Sequence, residues 1–300
     1  MAIPEAQLET WSHVGGTRQI SDTYNTIKNA LEEKYSPYWA KTSFDVYLQG
    51  SYNNDTNVYR DSDVDIVIAH KPFFHDMSRL GPYERMAATN SLPADASFSY
   101  AEFKVDVLSW LNTRFGSAFV EPGKKAVLVK GNGASRRKAD VLICARYYEY
   151  RRFDSPTDND IRYGVKFTTN TGQEIVNFPK LHERACVLKH AETNNNFKPT
   201  VRIYKNMRNR MIEYGLLKDG IAPSYYIEGM LHNVARGVFT TNRTETFLGS
   251  LVWLRTCNRN ALLCGHGQRP LLGDGLPDSW PPAHFEQFLQ ALTAYWTHWR

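Results

Sequence analysis

The sequence predicts an α+β fold, a mixed β-sheet followed by a C-terminal helical lobe, and three observations carry that reading. Short β-rich stretches bounded by glycine- and asparagine-bearing turns fill the chain up to Phe178. Beyond Pro179 the apolar residues recur at three- and four-residue spacing, the period of packed helices. Two carboxylates, Asp63 and Asp65, stand at the entrance of a strand that is otherwise apolar.

Tyr24, Ile27, Leu31 and Tyr35 mark one face of an amphipathic helix over residues 21–35. Residues 44–48 alternate, with Phe44, Val46 and Leu48 on one face, and that strand ends at Gly50-Ser51. A polar loop, 52–62, leads into a largely buried strand opening at Asp63. Stretches 126–129 and 141–144 flank Gly131-Asn132-Gly133, a turn suited to a hairpin. A second hairpin spans 161–167 and 174–178 around Asn170-Thr171-Gly172. Helical periodicity then covers 180–190, 199–214, 224–234 and 283–299. Pro277, Pro281 and Pro282 mark a loop rather than a linker between independent domains.

A length of 300 residues with 42% apolar content suffices for one large domain or two closely packed lobes. The net charge of +5 is mild and does not by itself indicate a nucleic-acid binder. Cys144, Cys186, Cys257 and Cys264 lack the paired short spacings of a structural zinc site or a secreted disulfide framework, which fits a reducing compartment. Cys257, Cys264 and His266 lie close in sequence, but no fourth ligand stands at a recognisable distance. The N-terminus shows no secretory pattern, and no run approaches membrane-spanning length, so a cytoplasmic protein is expected.

Asp63 and Asp65 are separated by one residue on a strand, so both side chains leave one face with Cα atoms about 6.6 Å apart. Two like charges so placed raise each other's pKa unless a cation neutralises them, and a hard divalent ion with oxygen ligands is the usual partner. Gly50 permits a tight turn and close approach to an oxyanion, and Ser51 can donate its hydroxyl and N–H to a triphosphate. A two-metal displacement needs a further carboxylate. Asp140, opening the strand after the first hairpin, is the best candidate and also has the role of general base available. Its rival, Asp106, falls in a stretch read as helical and surface-facing.

The helix at 199–214 presents Lys198, Arg202, Lys205 and Asn209 on one face and Val201, Tyr204, Met207 and Met211 on another. The basic side reads either as a solvated face or as the partner of a triphosphate, with Lys205 reaching the terminal phosphates. Ser224 and Tyr225 come after Pro223 at a helix start. Ser224 is an N-cap or a phosphate contact, and Tyr225 packs in the core or stacks on a base. Lys124, Lys125, Arg136, Arg137 and Lys138 make the hairpin before Asp140 basic, to solubilise it or to attract nucleotide.

Gln49-Gly-Ser-Tyr, Thr56, Ser62-Asp-Val-Asp-Ile and the later Asp140 together resemble the signature of the polymerase-beta-like nucleotidyltransferases. Val176-Asn-Phe-Pro-Lys-Leu-His182, Phe197-Lys-Pro-Thr-Val-Arg202 through Lys205-Asn206, and Ala222-Pro-Ser-Tyr225 are similar to bacterial CD-NTases, the cGAS/DncV-like enzymes, and particularly to their clade E. The similarity runs over nearly the whole chain. It implies a polymerase-beta-like catalytic core with an N-terminal helix over residues 1–178, and a helical lobe over 179–300 that closes the nucleotide cleft.

The resemblance further implies synthesis of a cyclic dinucleotide or trinucleotide messenger from nucleoside triphosphates in CBASS anti-phage defence. The metal ligands become Asp63, Asp65 and Asp140, holding two Mg2+ ions, with Mn2+ able to substitute. The triphosphate contacts become Gln49, Gly50, Ser51, Lys205 and Ser224, and the base-stacking aromatic Tyr225. Asn177 matches a position where pyrimidine-using relatives carry asparagine. An amide there offers donor and acceptor to a uracil edge, so a uridine-containing product is expected from UTP and ATP, cyclic UMP-AMP ahead of cyclic di-UMP. A monomer is expected, with a separate effector that senses the product. The sequence lacks a zinc-thumb cluster, so activation by double-stranded DNA is not expected. Rival readings are transfer to a protein, antibiotic or RNA acceptor, and a non-catalytic nucleotide or RNA sensor.

Overall fold

The computed structural model describes residues 2–15, 18–58, 63–92, 97–133, 135–275 and 279–299. Ser62 and the end of the polar loop before it, and Pro277, lie outside the described residues. In chain order the helices are α1 (Glu5–Ser12), α2 (Arg18–Leu31), α3 (Gly50–Asn53), α4 (Pro82–Asn90), α5 (Tyr100–Phe115), α6 (Pro179–Glu192), α7 (Phe197–Glu213), α8 (Ser224–Asn233), α9 (Arg243–Thr256) and α10 (Pro282–Thr297). The strands are β1 (Phe44–Leu48), β2 (Val64–Asp76), β3 (Val120–Pro122), β4 (Val127–Val129), β5 (Ala139–Ser155), β6 (Asp158–Thr168) and β7 (Glu174–Asn177). No helix among the described residues is long and apolar enough to cross a membrane.

The chain divides into two compact units, one of Arg18–Gln49 and Asp63–Lys180, the other of Met1–Thr17, Gly50–Ser62 and Leu181–Arg300. This division differs from a single cut after residue 178, because the amino-terminal residues and the segment from Gly50 join the helices.

The first unit is built on a mixed sheet in the order β1-β2-β5-β4-β3, with β6 pairing β5 and β7. β2 and β5 run parallel, and the other pairs are antiparallel. The strands β2 and β5 are buried on both faces near their middles, the condition for a near-continuous apolar run. Val64, Ile66, Ile68, Val141 and Ile143 point to one side, where α2 and α5 pack with Ile27, Leu31, Phe103 and Val107 buried. Val67, Ala69, Leu142 and Cys144 point to the other side and join Val165, Phe167 and Ile175 in a small second core. Side chains alternate along a strand, so Asp63, Asp65 and Asp140 belong to this second face.

The second unit is helical. Val201, Tyr204, Met207 and Met211 of α7 pack with Ile227 and Met230 of α8, Phe247 of α9 and Phe285 of α10, all buried. Pro199 sits in the first turn of α7, where a missing N–H costs nothing. The opposite side of α7 is also buried, and Lys198, Arg202, Lys205 and Arg208 are all enclosed. Of the two readings the sequence left open for this basic side, a solvated face does not hold for Lys198, Arg202 and Lys205.

Candidate active site

In the sheet unit, register brings the acidic residues together. Asp65 and Asp140 are direct partners across the parallel pair β2 and β5, and Asp63 precedes β2 on the same face. Asp140 stands opposite Leu128 of β4 on its other side, so it lies mid-sheet rather than on an edge. Burial raises the Asp140 carboxyl above its ordinary pKa and the Asp63 charge adds to this, with Lys138 partly offsetting them. The Lys138 ammonium lies 2.8 Å from Asp63 Oδ2, so a residue of the basic hairpin partly neutralises the acidic cluster. Three carboxylates on one face, one of them resisting ionisation, form a hard oxygen donor set of the kind that divalent cations take. Asp106, the rival, is on α5 with Lys41 Nζ 2.7 Å from its carboxylate.

Gln49, the last residue of this unit before α3, donates its backbone N–H to Asp65 O at 2.9 Å. Asn177 ends β7, and its side-chain oxygen accepts from Phe178 N at 2.8 Å. That bond takes one of the two lone pairs of the amide oxygen, and the NH2 group is the donor the side chain offers.

In the helical unit, Gly50 has φ +72°, the left-handed conformation that its lack of a Cβ permits. Ser51 comes next on the short α3, and its carbonyl accepts from Thr56 N at 2.8 Å, closing the turn. The basic residues of α7 grip the far side of that turn, at Asp55 and Thr56. Lys198 Nζ binds the Asp55 carboxylate at 2.9 Å, and Arg202 donates to the Asp55 and Ser12 carbonyls. Lys205 Nζ donates to the Thr56 carbonyl at 3.2 Å, Thr56 Oγ1 at 3.1 Å and Glu228 Oε1 at 2.7 Å. Lys205, expected from the sequence to reach the terminal phosphates, has its ammonium fully buried here, with its three donors bonded within the protein. A helical wheel gives the angular position of a residue but not the depth at which its side chain ends.

Sequence reasoning passed over the residues that surround Ser224 and Tyr225. Ser224 begins α8, and Arg208 donates to its hydroxyl at 3.1 Å and to Ala222 O at 3.0 Å. The Tyr225 ring stacks on His182 at 4.9 Å between centroids. His182 Nε2 is 2.7 Å from Glu228 Oε2. Burial alone would raise the Glu228 pKa, but Lys205 and His182 hold it well below the carboxylate range. Burial alone would lower the His182 pKa, and Cys186 and Glu228 more than offset it and raise it. The available signal was a charged residue, Glu228, set among Ile227, Met230 and Leu231 on an apolar helix.

His182, Cys186 and Glu228 offer ligand atoms within 4.8 Å of one another. They do not suit a cation, because both Glu228 oxygens already accept two hydrogen bonds each, and the Lys205 ammonium occupies the position of the positive charge.

Residues 184–297 match the family model described as the cGAS/DncV-like nucleotidyltransferase C-terminal helical domain. The chain is 33% identical over 299 residues to the cyclic UMP-AMP synthase of Rhodothermus marinus, covering 100% of this chain and 99% of that protein. It is 32% identical over 305 residues to a cyclic nucleotide synthase of Staphylococcus haemolyticus, covering 100% of both. The solved structure of the R. marinus CdnE c-UMP-AMP synthase with Apcpp and Upnpp superposes with a TM-score of 0.87, covering 99% of this chain and 97% of that one. The Elizabethkingia meningoseptica CdnE cyclic dinucleotide synthase with GTP and Apcpp gives 0.76 at 25% identity, covering 98% of both. A third of the residues shared from end to end, under one fold, places this chain among the CD-NTases, the cGAS/DncV-like nucleotidyltransferases, on their CdnE branch.

Proposed function

We propose that this protein joins UTP and ATP into cyclic UMP-AMP, with Mg2+ held by Asp63, Asp65 and Asp140, in the cytoplasm, as the signalling enzyme of a CBASS anti-phage system. The observation that carries the reading is the register pairing Asp65 with Asp140 beside Asp63. When bound, two divalent ions would neutralise the triphosphate charge and stabilise the attacking and leaving oxygens of an in-line displacement. The chain's own residues do the rest. Asp140, whose carboxyl is raised by burial and by Asp63, accepts the proton of a ribose hydroxyl as its oxygen forms a bond to an α-phosphorus and the bond to pyrophosphate breaks. A second transfer of the same kind closes the ring. Gln49, Gly50, Ser51 and Ser224 position the polyphosphate, and Tyr225 stacks on a base. The Asn177 NH2 donates to a uracil carbonyl.

The likeness to the R. marinus cyclic UMP-AMP synthase supports the choice of bases. The test is mass spectrometry of the products from all four nucleoside triphosphates with Mg2+, for wild type and Asp63→Ala. A cyclic product containing one uridine and one adenosine, absent from the variant, is expected. Product without uridine would defeat the assignment of bases. No product without an added acceptor, or equal output from Asp63→Ala, would defeat the reaction itself.

A further inference from the structure

The geometry points to Glu228 as a positioning residue that ties the Ser51-bearing turn and the Tyr225 ring into one unit, with Lys205 and His182 as its two arms. The assignment rests on the proposed function, in which Ser51 and Tyr225 meet the nucleotide. One oxygen of the Glu228 carboxylate accepts from Thr56 Oγ1 and Lys205 Nζ, the other from Asn54 Nδ2 at 2.9 Å and His182 Nε2. Asn54, Thr56, His182, Lys205 and Glu228 are all buried. A carboxylate is kept ionised in such a place only by charged and hydrogen-bonding partners that saturate it.

The network has two ends. Thr56 N donates to the Ser51 carbonyl at 2.8 Å while the Thr56 hydroxyl gives its one proton to Glu228, so Glu228 and Lys205 acting on Thr56 fix where Ser51 stands. Asp55 between them has φ +52°, a left-handed conformation unusual outside glycine, which the surrounding bonds hold in place. At the other end the His182 ring lies against Tyr225 with an interplanar angle of 23°, and its tilt is set by the bond to Glu228. The ring is wedged in place. A Cβ on Gly265 would come 2.8 Å from His182 Nδ1 and Cε1, so the backbone there packs directly on the imidazole. Neither Glu228 nor Lys205 needs to touch the nucleotide to govern where its phosphate and base contacts stand.

A double-mutant cycle separates this role from direct phosphate binding. Lys205→Met, Glu228→Gln, the pair together, and His182→Phe, which keeps a ring against Tyr225 but loses the bond, are assayed for melting temperature, KM and kcat with UTP and ATP. The doubly substituted protein removes the Lys205 and Glu228 charges, and His182, no longer held charged by Glu228, turns neutral, so that no uncompensated buried ion is left. In each folded variant KM for a triphosphate rises at least about tenfold while kcat stays within about threefold, and the double variant is no worse than the poorer single one. Additive losses in the cycle, a wild-type KM in the double variant, or tighter triphosphate binding by Glu228→Gln as it frees Lys205 would each overturn the assignment. If wild type binds no triphosphate at all, the proposed function fails first and the positioning role with it. If wild type binds and the cycle is additive, only the positioning role fails.

Discussion

Asp65 and Asp140 face each other across the parallel pairing of β2 and β5, with Asp63 on the same face and its carboxylate 2.8 Å from the Lys138 ammonium. Carboxylates gathered in this way store repulsion that a cation relieves. The stored repulsion is measurable apart from catalysis.

Asp140→Asn removes one of these charges while preserving shape. The folded Asp140 carboxyl is raised above the ordinary value of 3.8 by burial and then by Asp63. The folded chain therefore binds more proton than the unfolded one between 3.8 and the raised value, and the ionised group costs stability as pH rises through that window. Without metal, the variant should melt at or above wild type at pH 7, and the difference should close as pH falls below the ordinary aspartate value. Mg2+ should raise the melting temperature of wild type far more than that of the variant. Product formation should fall by about 10^3-fold. A variant clearly less stable than wild type at pH 7 without metal would mean that Asp140 is held by structural bonds instead.

How much of the fold and site was readable in the sequence depended on the range of the interaction concerned. The spacing of Asp63 and Asp65 on a strand is local chemistry, and so was the hairpin that brings Asp140 to a strand start. The parallel register that sets Asp140 beside Asp65 is not local, since it depends on two strands pairing across everything between them. The strand read from Asp63 to Ile68 runs on to Asp76, with a shift of register between His70 and Phe73. The strand read over 141–144 likewise extends to Ser155, where Arg151 is met by Glu149 and Arg152 by Asp154 and Asp158. The depth of Lys205 was hidden for the same reason, because its partners Thr56 and Glu228 come from elsewhere in the chain.

Gly164→Ala tests how tightly β7 is held. Gly164 of β6 stands opposite Tyr147 of β5, and a Cβ there would lie 2.6 Å from Asn177 O and 2.9 Å from the buried Phe178 ring. Backbone cannot yield as a flexible side chain does, so the end of β7 must shift. A loss of about 1–3 kcal/mol is expected, read as a lower melting temperature. Because Asn177 moves with its carbonyl, KM for UTP should rise more than KM for ATP. Equal changes for the two substrates would separate Asn177 from base choice.

Asn177→Asp alters one atom and tests the choice of base directly. Asn177 Oδ1 accepts from Phe178 N at 2.8 Å, so an aspartate can keep that bond with one oxygen. The other oxygen then replaces the NH2, turning a donor into an acceptor opposite the proposed uracil carbonyl, which we assign as O4, the position that is an amine in cytosine. Two acceptors facing one another leave both unpaired, and a site built to hydrogen-bond its substrate discriminates strongly against a partner of the wrong polarity. The kcat/KM for UTP should fall by about 10^2-fold or more. CTP, whose N4 amine is a donor, should lose far less and overtake UTP. Asn177→Ser, too short to reach, should lose preference between the pyrimidines without reversing it. Melting temperatures should stay close to wild type, because the Phe178 bond survives in Asn177→Asp. Unchanged use of UTP by Asn177→Asp would remove this side chain from base recognition, and a shift in ATP use alone would assign it to the other nucleotide.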